Sequence, residues 1–442
     1  MTEPNPFVAP QEVTDNSAPS RTRFLVLGLL CLLSGILYID RICISSARTV
    51  IGEELKLSPQ QTGYFMMAFT LAYGLFEIPT GRWGDVLGTR RVLTRISLWW
   101  SAFTAFTGLC TGLYSLVIVR FLFGAGEAGA FPNAARVMSR WFPDHERGRV
   151  HGVFLAASQI GGAISPILAT ELIDAIGWRL TFVVFGSLGA VWAAVFWWWF
   201  RDDPAEHPGV NAAEVRHIGR RATSGTVHAP IPWSLVAINP SVWFLSLIMM
   251  CASFNSYIYF GWYQTCLTEG RGIPNGTASR MVGLVLLLSA AGTYTGGALI
   301  DRFISRGSVN RRRIMGGTCF LLAAGFLGSA LLSNDPWTAA TLTALSCFTT
   351  QMTQPLWWSC STGVSGRHVG SLLGLMNSVG VFGAMTSTFL VGWIADFLKL
   401  RGYSGRDQWD PIFYINIGVL LTACVLWSFF RFQPVEPDHA DH

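Results

Sequence analysis

Charge is scarce in this chain: 13% of its 442 residues are Asp, Glu, Lys or Arg, about half the share usual in soluble proteins. Over half the residues (51%) are hydrophobic, with 18 Trp and 30 Phe, which excludes an ordinary soluble globular protein. No CxxC pair occurs. The nine cysteines lie scattered through apolar runs, Cys31, Cys43 and Cys110 among them, which argues against a disulfide framework and against zinc. They read as small buried packing residues. The eight histidines form no ligand cluster, and His145, His207, His217, His228, His439 and His442 fall in loops or tails. No metal and no cofactor are therefore expected. With no soluble domain and no nucleophile triad visible, an enzyme is not expected either.

What the chain has instead is long apolar runs. Twelve recur, at about 24–46, 60–82, 93–111, 113–138, 149–173, 178–200, 241–267, 280–300, 313–333, 337–361, 369–395 and 411–431, each near the ~20 residues that cross a bilayer. The first is too long for a cleaved signal and carries Asp40 and Arg41. The expected fold class is an all-α polytopic membrane protein of twelve spans. The net charge of +5 suggests nucleic acid only until its distribution is read. With the N-terminus inside, inner segments hold 20 Lys/Arg and outer segments 8. That asymmetry sets orientation by the positive-inside rule. Both termini are expected in the cytoplasm, the bilayer is the partner, and no nucleic acid is implied.

The longest interruption, 201–240, reads as a cytoplasmic linker with a short surface helix around Ala212 to Arg221. It divides a six-span half, 21–200, from another, 241–432. The polar tails, 1–20 and 433–442, are expected to be disordered. Related signatures mark the two halves. Gly81-Arg-Trp-Gly-Asp85 with Gly88, Arg90 and Arg91 corresponds to Gly297-Ala-Leu-Ile-Asp301-Arg302. Gly152 with Gly161 shares its nine-residue spacing with Gly374 and Gly383. The offsets between copies, 216 and 222 residues, nearly agree, and internal repeats of this kind mark many transporter folds.

Four charges sit inside spans of the first half: Asp40 and Arg41 in the first, Arg120 and Glu127 in the fourth. Each costs roughly 2.5–3.5 kcal/mol at a helix centre, so such residues face a bundle interior or a water-filled cavity. On one continuous helix Arg120, Gly124, Glu127 and Phe131 share a face. The ~10.5 Å axial gap from Arg120 to Glu127 leaves their contact open, with substrate, water or Asp40 as alternative bridges. Small apolar neighbours of Glu127 favour its neutral form and a nearby arginine its charged form. A carboxyl balanced between them can exchange a proton for a cation. A static ion pair is the alternative. Asp40 and Arg41 lie ~100° apart around their helix, so they address different partners. Arg41 offers a planar fork suited to a carboxylate, while Asp40 is a second proton site or the countercharge of an arginine.

Tyr38-Ile-Asp40-Arg41, the Gly81–Arg91 loop, Arg120 through Phe131-Pro132, and Trp141-Phe142-Pro143 with Glu146-Arg147-Gly148 together resemble the major facilitator superfamily. Within it, residues 20–432 are most similar to the anion:cation symporters, of the bacterial galactonate, glucarate and hexuronate type. Val86 departs from that loop, where a basic residue is usual. The resemblance implies two pseudo-symmetric six-helix halves. It makes Asp40 and Glu127 the proton-coupling carboxyls, Arg41 the ligand of a substrate carboxylate and Arg120 a charge partner in the cycle. Tyr38 and Tyr73 fall where such symporters place substrate-facing tyrosines, packing being the alternative for Tyr73. It further implies that Asp85 opposes the N-terminal end of span 11. Arg90, Arg91 and Asp301 belong to the same gating loops, and Glu77 to gating or cytoplasmic pairing.

The second half is poor in charge and rich in amides, hydroxyls and indoles. Gln354 and Trp358 share a face of span 10 with Gln351, and Asn377 lies within span 11. All are candidate polyol contacts, with interface anchoring the alternative for Trp357 and Trp358. Ser158 and Gln159 in span 5 are candidate contacts too, or interhelical hydrogen-bonders. The expected function is proton-driven symport of an organic anion, an aldonate, uronate or aldarate, by alternating access in a bacterial inner membrane. The carrier is expected to work as a monomer, with the proton gradient in place of a cofactor. A carrier of aromatic or dicarboxylic acids is the alternative, and a transport-dead sensor a more distant one. A phosphate-ester exchanger would place an arginine in span 7, where this chain has none.

Overall fold

The computed structural model describes residues 18–57, 59–219, 231, 233–304 and 309–435. Parts of the predicted tails (1–17 and 436–442) and of the predicted linker (220–230 and 232) lie outside them. Among the described residues there is no strand. The first half comprises α1 (Thr22–Glu54), α2 (Pro59–Leu87), α3 (Thr89–Thr107), α4 (Leu113–Glu127), α5 (Ala130–Trp141) and α6 (Arg147–Trp199). Two short helices, α7 (Ala212–Ile218) and α8 (Trp233–Ile238), lie between the halves. The second half comprises α9 (Pro240–Gly261), α10 (Tyr263–Thr265), α11 (Asn275–Ile304), α12 (Val309–Leu332), α13 (Pro336–Gln351), α14 (Thr353–Ser365), α15 (Val369–Leu400) and α16 (Arg406–Phe429). Eight of the described helical stretches are long and apolar enough to cross a membrane. One of them, α6, holds two spans, because Gly177 adopts φ 78° and turns the chain between its arms. With the more polar α2 and α3 and the broken pair α13–α14, the described residues make twelve crossings. The first and last described residues, Ala18 and Val435, therefore lie on one side, the terminus face.

Local sequence explains where helices start and break. Asn239 accepts from the backbone N–H of Ser241 at 2.9 Å, with Pro240 at the first helical position of α9. Asp335 does the same for Thr338 at 2.7 Å ahead of Pro336 in α13. Such caps satisfy donors that a helix start leaves open. The fourth and tenth spans are each broken in mid-membrane, at Ala128–Gly129 and at Met352. Pro132 and Pro355 lie just beyond. A proline cannot donate to the carbonyl four residues back and clashes with it, and those carbonyls belong to Ala128 and Gln351. Gly129 completes the first break in the left-handed region, φ 81°. Span 4 is thus two helices rather than the single run 113–138 expected from hydropathy.

The halves meet on the terminus side. There α2 runs along α15 and the first arm of α6 along α11. Gly81 and Gly370 bring two backbones together so closely that a Cβ on either would strike the other's carbonyl oxygen. Most of the core is one cluster spanning both halves. A second cluster, with Ile44, Ile51, Phe65, Leu116, Trp178 and Phe182, lies away from the terminus face and contains first-half residues alone. The protein is shut on its terminus face.

Candidate functional site

Four helices of the first half bring the intramembrane charges together. The Arg41 guanidinium projects from α1 onto Oε1 of Glu127, the last residue of α4, with Nε at 2.9 Å and Nη2 closer still. Glu127 is fully buried, whereas the Arg41 side chain keeps 17% exposure. Three rings box the guanidinium: Tyr38 at 5.0 Å, Phe69 at 5.2 Å and Tyr73 at 4.8 Å. Such cation–π contacts hold a partly desolvated cation in place. Tyr257 of α9, in the other half, lies near enough for its hydroxyl to feel the Arg41 charge. Glu127 Oε2 has no hydrogen-bond partner.

Asp40 points elsewhere. Its Oδ2 accepts from Trp100 Nε1 at 3.1 Å and more weakly from Thr104 Oγ1 at 3.5 Å, both on α3, while Oδ1 has no partner. Arg120, 1% exposed, makes no hydrogen bond or ion pair with another described residue and packs over Phe123 at 4.5 Å and Phe69 at 5.3 Å. Asp40, Glu127 and Arg41 all act on it electrostatically. One question that the sequence leaves open is answered here, and one expectation is corrected. Glu127 pairs with Arg41 rather than Arg120, because helix α4 holds the two side chains two turns apart while α1 lies alongside. Phe131 shares no helical face with Glu127, because the break at Ala128–Gly129 separates them.

A second buried carboxyl, Glu77 of α2, extends the site toward the terminus face. Its Oε1 accepts from Asn377 Nδ2 of α15 at 2.5 Å and from Tyr73 OH at 3.3 Å; Oε2 is free. Asn377 is therefore a bridge between halves here. Gln159 likewise donates to Thr293 Oγ1 of α11 at 2.9 Å. Ser158 donates to Leu155 O within its own helix at 2.7 Å. Trp358 of α14 is buried between first-half rings, 6.0 Å from Phe131 and stacked 6.2 Å from His151, with Phe131 in turn 6.0 Å from Tyr38. It is a wedge below the Arg41 box. Gln354 is half-buried beside it.

At the terminus face the duplicated loops act in mirror fashion. Asp85 accepts from Gly370 N at 3.0 Å, Ser371 N at 2.9 Å and Ser371 Oγ at 2.7 Å, and also binds Arg136. Asp301 accepts from Arg149 N at 2.8 Å. Each aspartate thus caps the first turn of the other half's fifth span, where an anion is favoured. Arg90 and Arg91 form no such tie. Arg90 donates to Trp197 O, and its backbone N–H donates to Asp202 within its own half; Arg91 is exposed. Sequence reasoning also missed Trp100, Thr104, Phe69 and Thr293. Only the spacing of Trp100 and Thr104, one turn apart on α3, hinted at a shared partner.

One further expectation fails. His145 and His217, far apart in sequence, converge on Glu146, and among the described residues this is the only such grouping of three metal-capable donors. The grouping is invisible in linear sequence because it forms only where the linker helix folds back onto the turn before α6.

Three comparisons bear on this architecture. "Probable sulfoacetate transporter SauU" of Cupriavidus necator is 32% identical over 415 residues, covering 93% of this chain and 94% of its own. The D-galactonate transporter of Escherichia coli is 28% identical over 393 residues, covering 85% and 90%. The solved proton:xylose symporter XylE has TM-score 0.73 at 13% identity, covering 94% of this chain and 98% of its own, a likeness of fold. The family model for the major facilitator superfamily matches residues 30–387 and, overlapping, 245–442. With its twelve crossings in two halves and its relatives named as transporters, this chain belongs to the major facilitator superfamily and is a multi-pass membrane carrier, not an enzyme.

Proposed function

We propose that this carrier is a proton-coupled symporter of a small organic anion, working by alternating access. The observation that carries the reading is the Arg41–Glu127 pair inside its aromatic box. Arg41 is the one intramembrane arginine of the box with residual exposure, and its present acceptor is a carboxylate. A proton on Glu127 cancels the charge that holds the guanidinium. Arg41 is then free to offer its planar edge to an incoming carboxylate or sulfonate. Departure of the anion returns Arg41 to Glu127 and expels the proton. Asp40, one oxygen free and Arg120 nearby, supplies a second proton site. Binding of proton and anion thus reinforce each other, as symport requires.

The shut terminus face supports alternating access. Opening it requires α15 to leave Asp85, Asn377 to leave Glu77 and Trp358 to leave its slot, while the opposite side closes over the site. With 20 of the Lys/Arg on terminus-side segments, that face is the cytoplasm, and the bacterial sulfoacetate and galactonate relatives favour a bacterial inner membrane. The galactonate-transporting relative and the polyhydroxyl-compatible amides of the second half favour a sugar acid. The sulfoacetate relative and the unpartnered Arg120, a second cation beside the first, favour a short dianion as the competing substrate. The test is uptake into proteoliposomes across a panel of aldonates, uronates, aldarates, dicarboxylates and sulfocarboxylates. Accumulation of one class only when the substrate side is acid supports the reading; uptake indifferent to the gradient makes the protein a facilitator.

A further inference from the structure

On the terminus face the turn before α6 meets the linker helix α7. His217 Nε2 of α7 lies 3.1 Å from Glu146 Oε1, and His145 Nε2 lies 4.0 Å from the same oxygen. All three donor atoms fall within 4.8 Å of one another. The His145 side chain is 55% exposed and that of His217 33%, so a solute ion reaches them and the rings can turn. Zinc bonds of about 2.0–2.2 Å to nitrogen and oxygen set tetrahedral donors about 3.4 Å apart. The trio needs only small side-chain adjustments to meet that spacing.

The surroundings suit a cation. Glu146 presents a carboxylate oxygen to both imidazoles. Arg23 grips it through Nε at 3.1 Å and Nη2 at 3.2 Å, which fixes the carboxylate as a supporting partner does in built metal sites. Arg23 is itself neutralised by Glu214 at 3.1 Å, leaving one net negative charge across Arg23, Glu146 and Glu214. Of the neighbouring arginines, Arg147 pairs with Asp144 and Arg149 with Asp301; Arg302 rims the same groove.

We infer that His145, Glu146 and His217 form a site for a divalent transition metal of the zinc, cobalt and nickel class, which staples the linker helix to the first half. The ion takes the place of the hydrogen bond between His217 Nε2 and Glu146 Oε1, and each imidazole meets it through an unprotonated nitrogen. Water completes the coordination. Imidazole and carboxylate donors suit these metals.

The test is titration of the tag-free full-length protein in detergent with Co²⁺ and Zn²⁺, by calorimetry and by the Co²⁺ visible spectrum. The expected result is one ion per chain with a nitrogen–oxygen spectrum lacking thiolate charge transfer. Affinity should fall at least tenfold in His145→Ala and in His217→Ala, and stay unchanged in His439→Ala/His442→Ala. A wild-type protein that binds no ion, or substitutions at His145 and His217 that leave affinity unchanged, overturns the site. The outcome is independent of whether transport is coupled to protons.

Discussion

Asp85→Asn should tip the carrier away from the terminus-shut state. Asp85 receives three hydrogen bonds across the halves, at 3.0, 2.9 and 2.7 Å, from the first turn of α15. Bonds to a charged acceptor contribute about 1.5–3 kcal/mol each, against about 0.5–1.5 for neutral ones. An asparagine keeps one acceptor oxygen, turns an N–H₂ toward N–H donors, and loses the favourable charge at the helix start. The Arg136 contact lies within the first half and weighs equally in both states. The net penalty on the shut state is about 2–4 kcal/mol, which at 1.4 kcal/mol per decade shifts the shut-to-open ratio about 30- to 700-fold. Spin labels at positions 91 and 310, both exposed on terminus-face ends of opposite halves, report the change as a distance. Cys31 and Cys424, the two cysteines not buried, are first replaced by serine. A longer population growing in Asp85→Asn is expected. An unchanged distance distribution would refute the view that this cap holds the face shut.

Arg41→Lys removes the planar fork and most of the stacking within Tyr38, Phe69 and Tyr73, so substrate affinity should fall at least tenfold in a binding titration, about 1.4 kcal/mol. Asn377→Ala leaves Glu77 with Tyr73 alone; accessibility of terminus-side cysteines to a thiol reagent should rise, with substrate affinity changed less than in Arg41→Lys. Glu214→Ala strips the acceptor of Thr22 N, Arg23 N and Arg23 Nη1, and should destabilise the start of α1 and its linker docking by about 3 kcal/mol, read as faster hydrogen exchange there. Both Glu146 and Glu214 lie below the ordinary carboxylate range. Burial opposes this in each, and hydrogen bonds outweigh it, from Arg23 and His217 on Glu146 and from Ser20, Thr22 and Arg23 on Glu214. Their contribution is therefore complete above about pH 4.3, the unfolded value, and fades as pH falls through the folded values. Linker protection should persist from neutral pH to about 4.3 and then decline.

The twelve spans and two halves were legible because apolar runs of bilayer length and a repeated glycine–aspartate loop survive in linear sequence. The breaks in the fourth and tenth spans were not read, although Pro132 and Pro355 mark them, because hydropathy averages over a single missing hydrogen bond. Asp40, Arg41 and Glu127 announced themselves by the cost of burying charge. Their partners did not. Which arginine meets Glu127 depends on how α1 lies against α4, and the Trp100 and Thr104 donors come from a third helix. Asn377 and Gln159 looked like ligand contacts because an intramembrane amide must find a partner; that the partners are Glu77 and Thr293 across the interface is a fact of packing. The His145–Glu146–His217 trio spans a fold-back of the linker helix that no spacing rule encodes.

The central claim is that a proton on Glu127 frees Arg41 for the anion. Substrate-driven proton flux, read by a trapped pH dye in proteoliposomes lacking any imposed gradient, tests it most directly. Addition of the transported acid should acidify the lumen with the wild-type protein. With Glu127→Gln that signal should vanish while exchange of labelled for unlabelled substrate continues. Proton movement persisting in Glu127→Gln, or exchange lost together with it, would contradict the assignment.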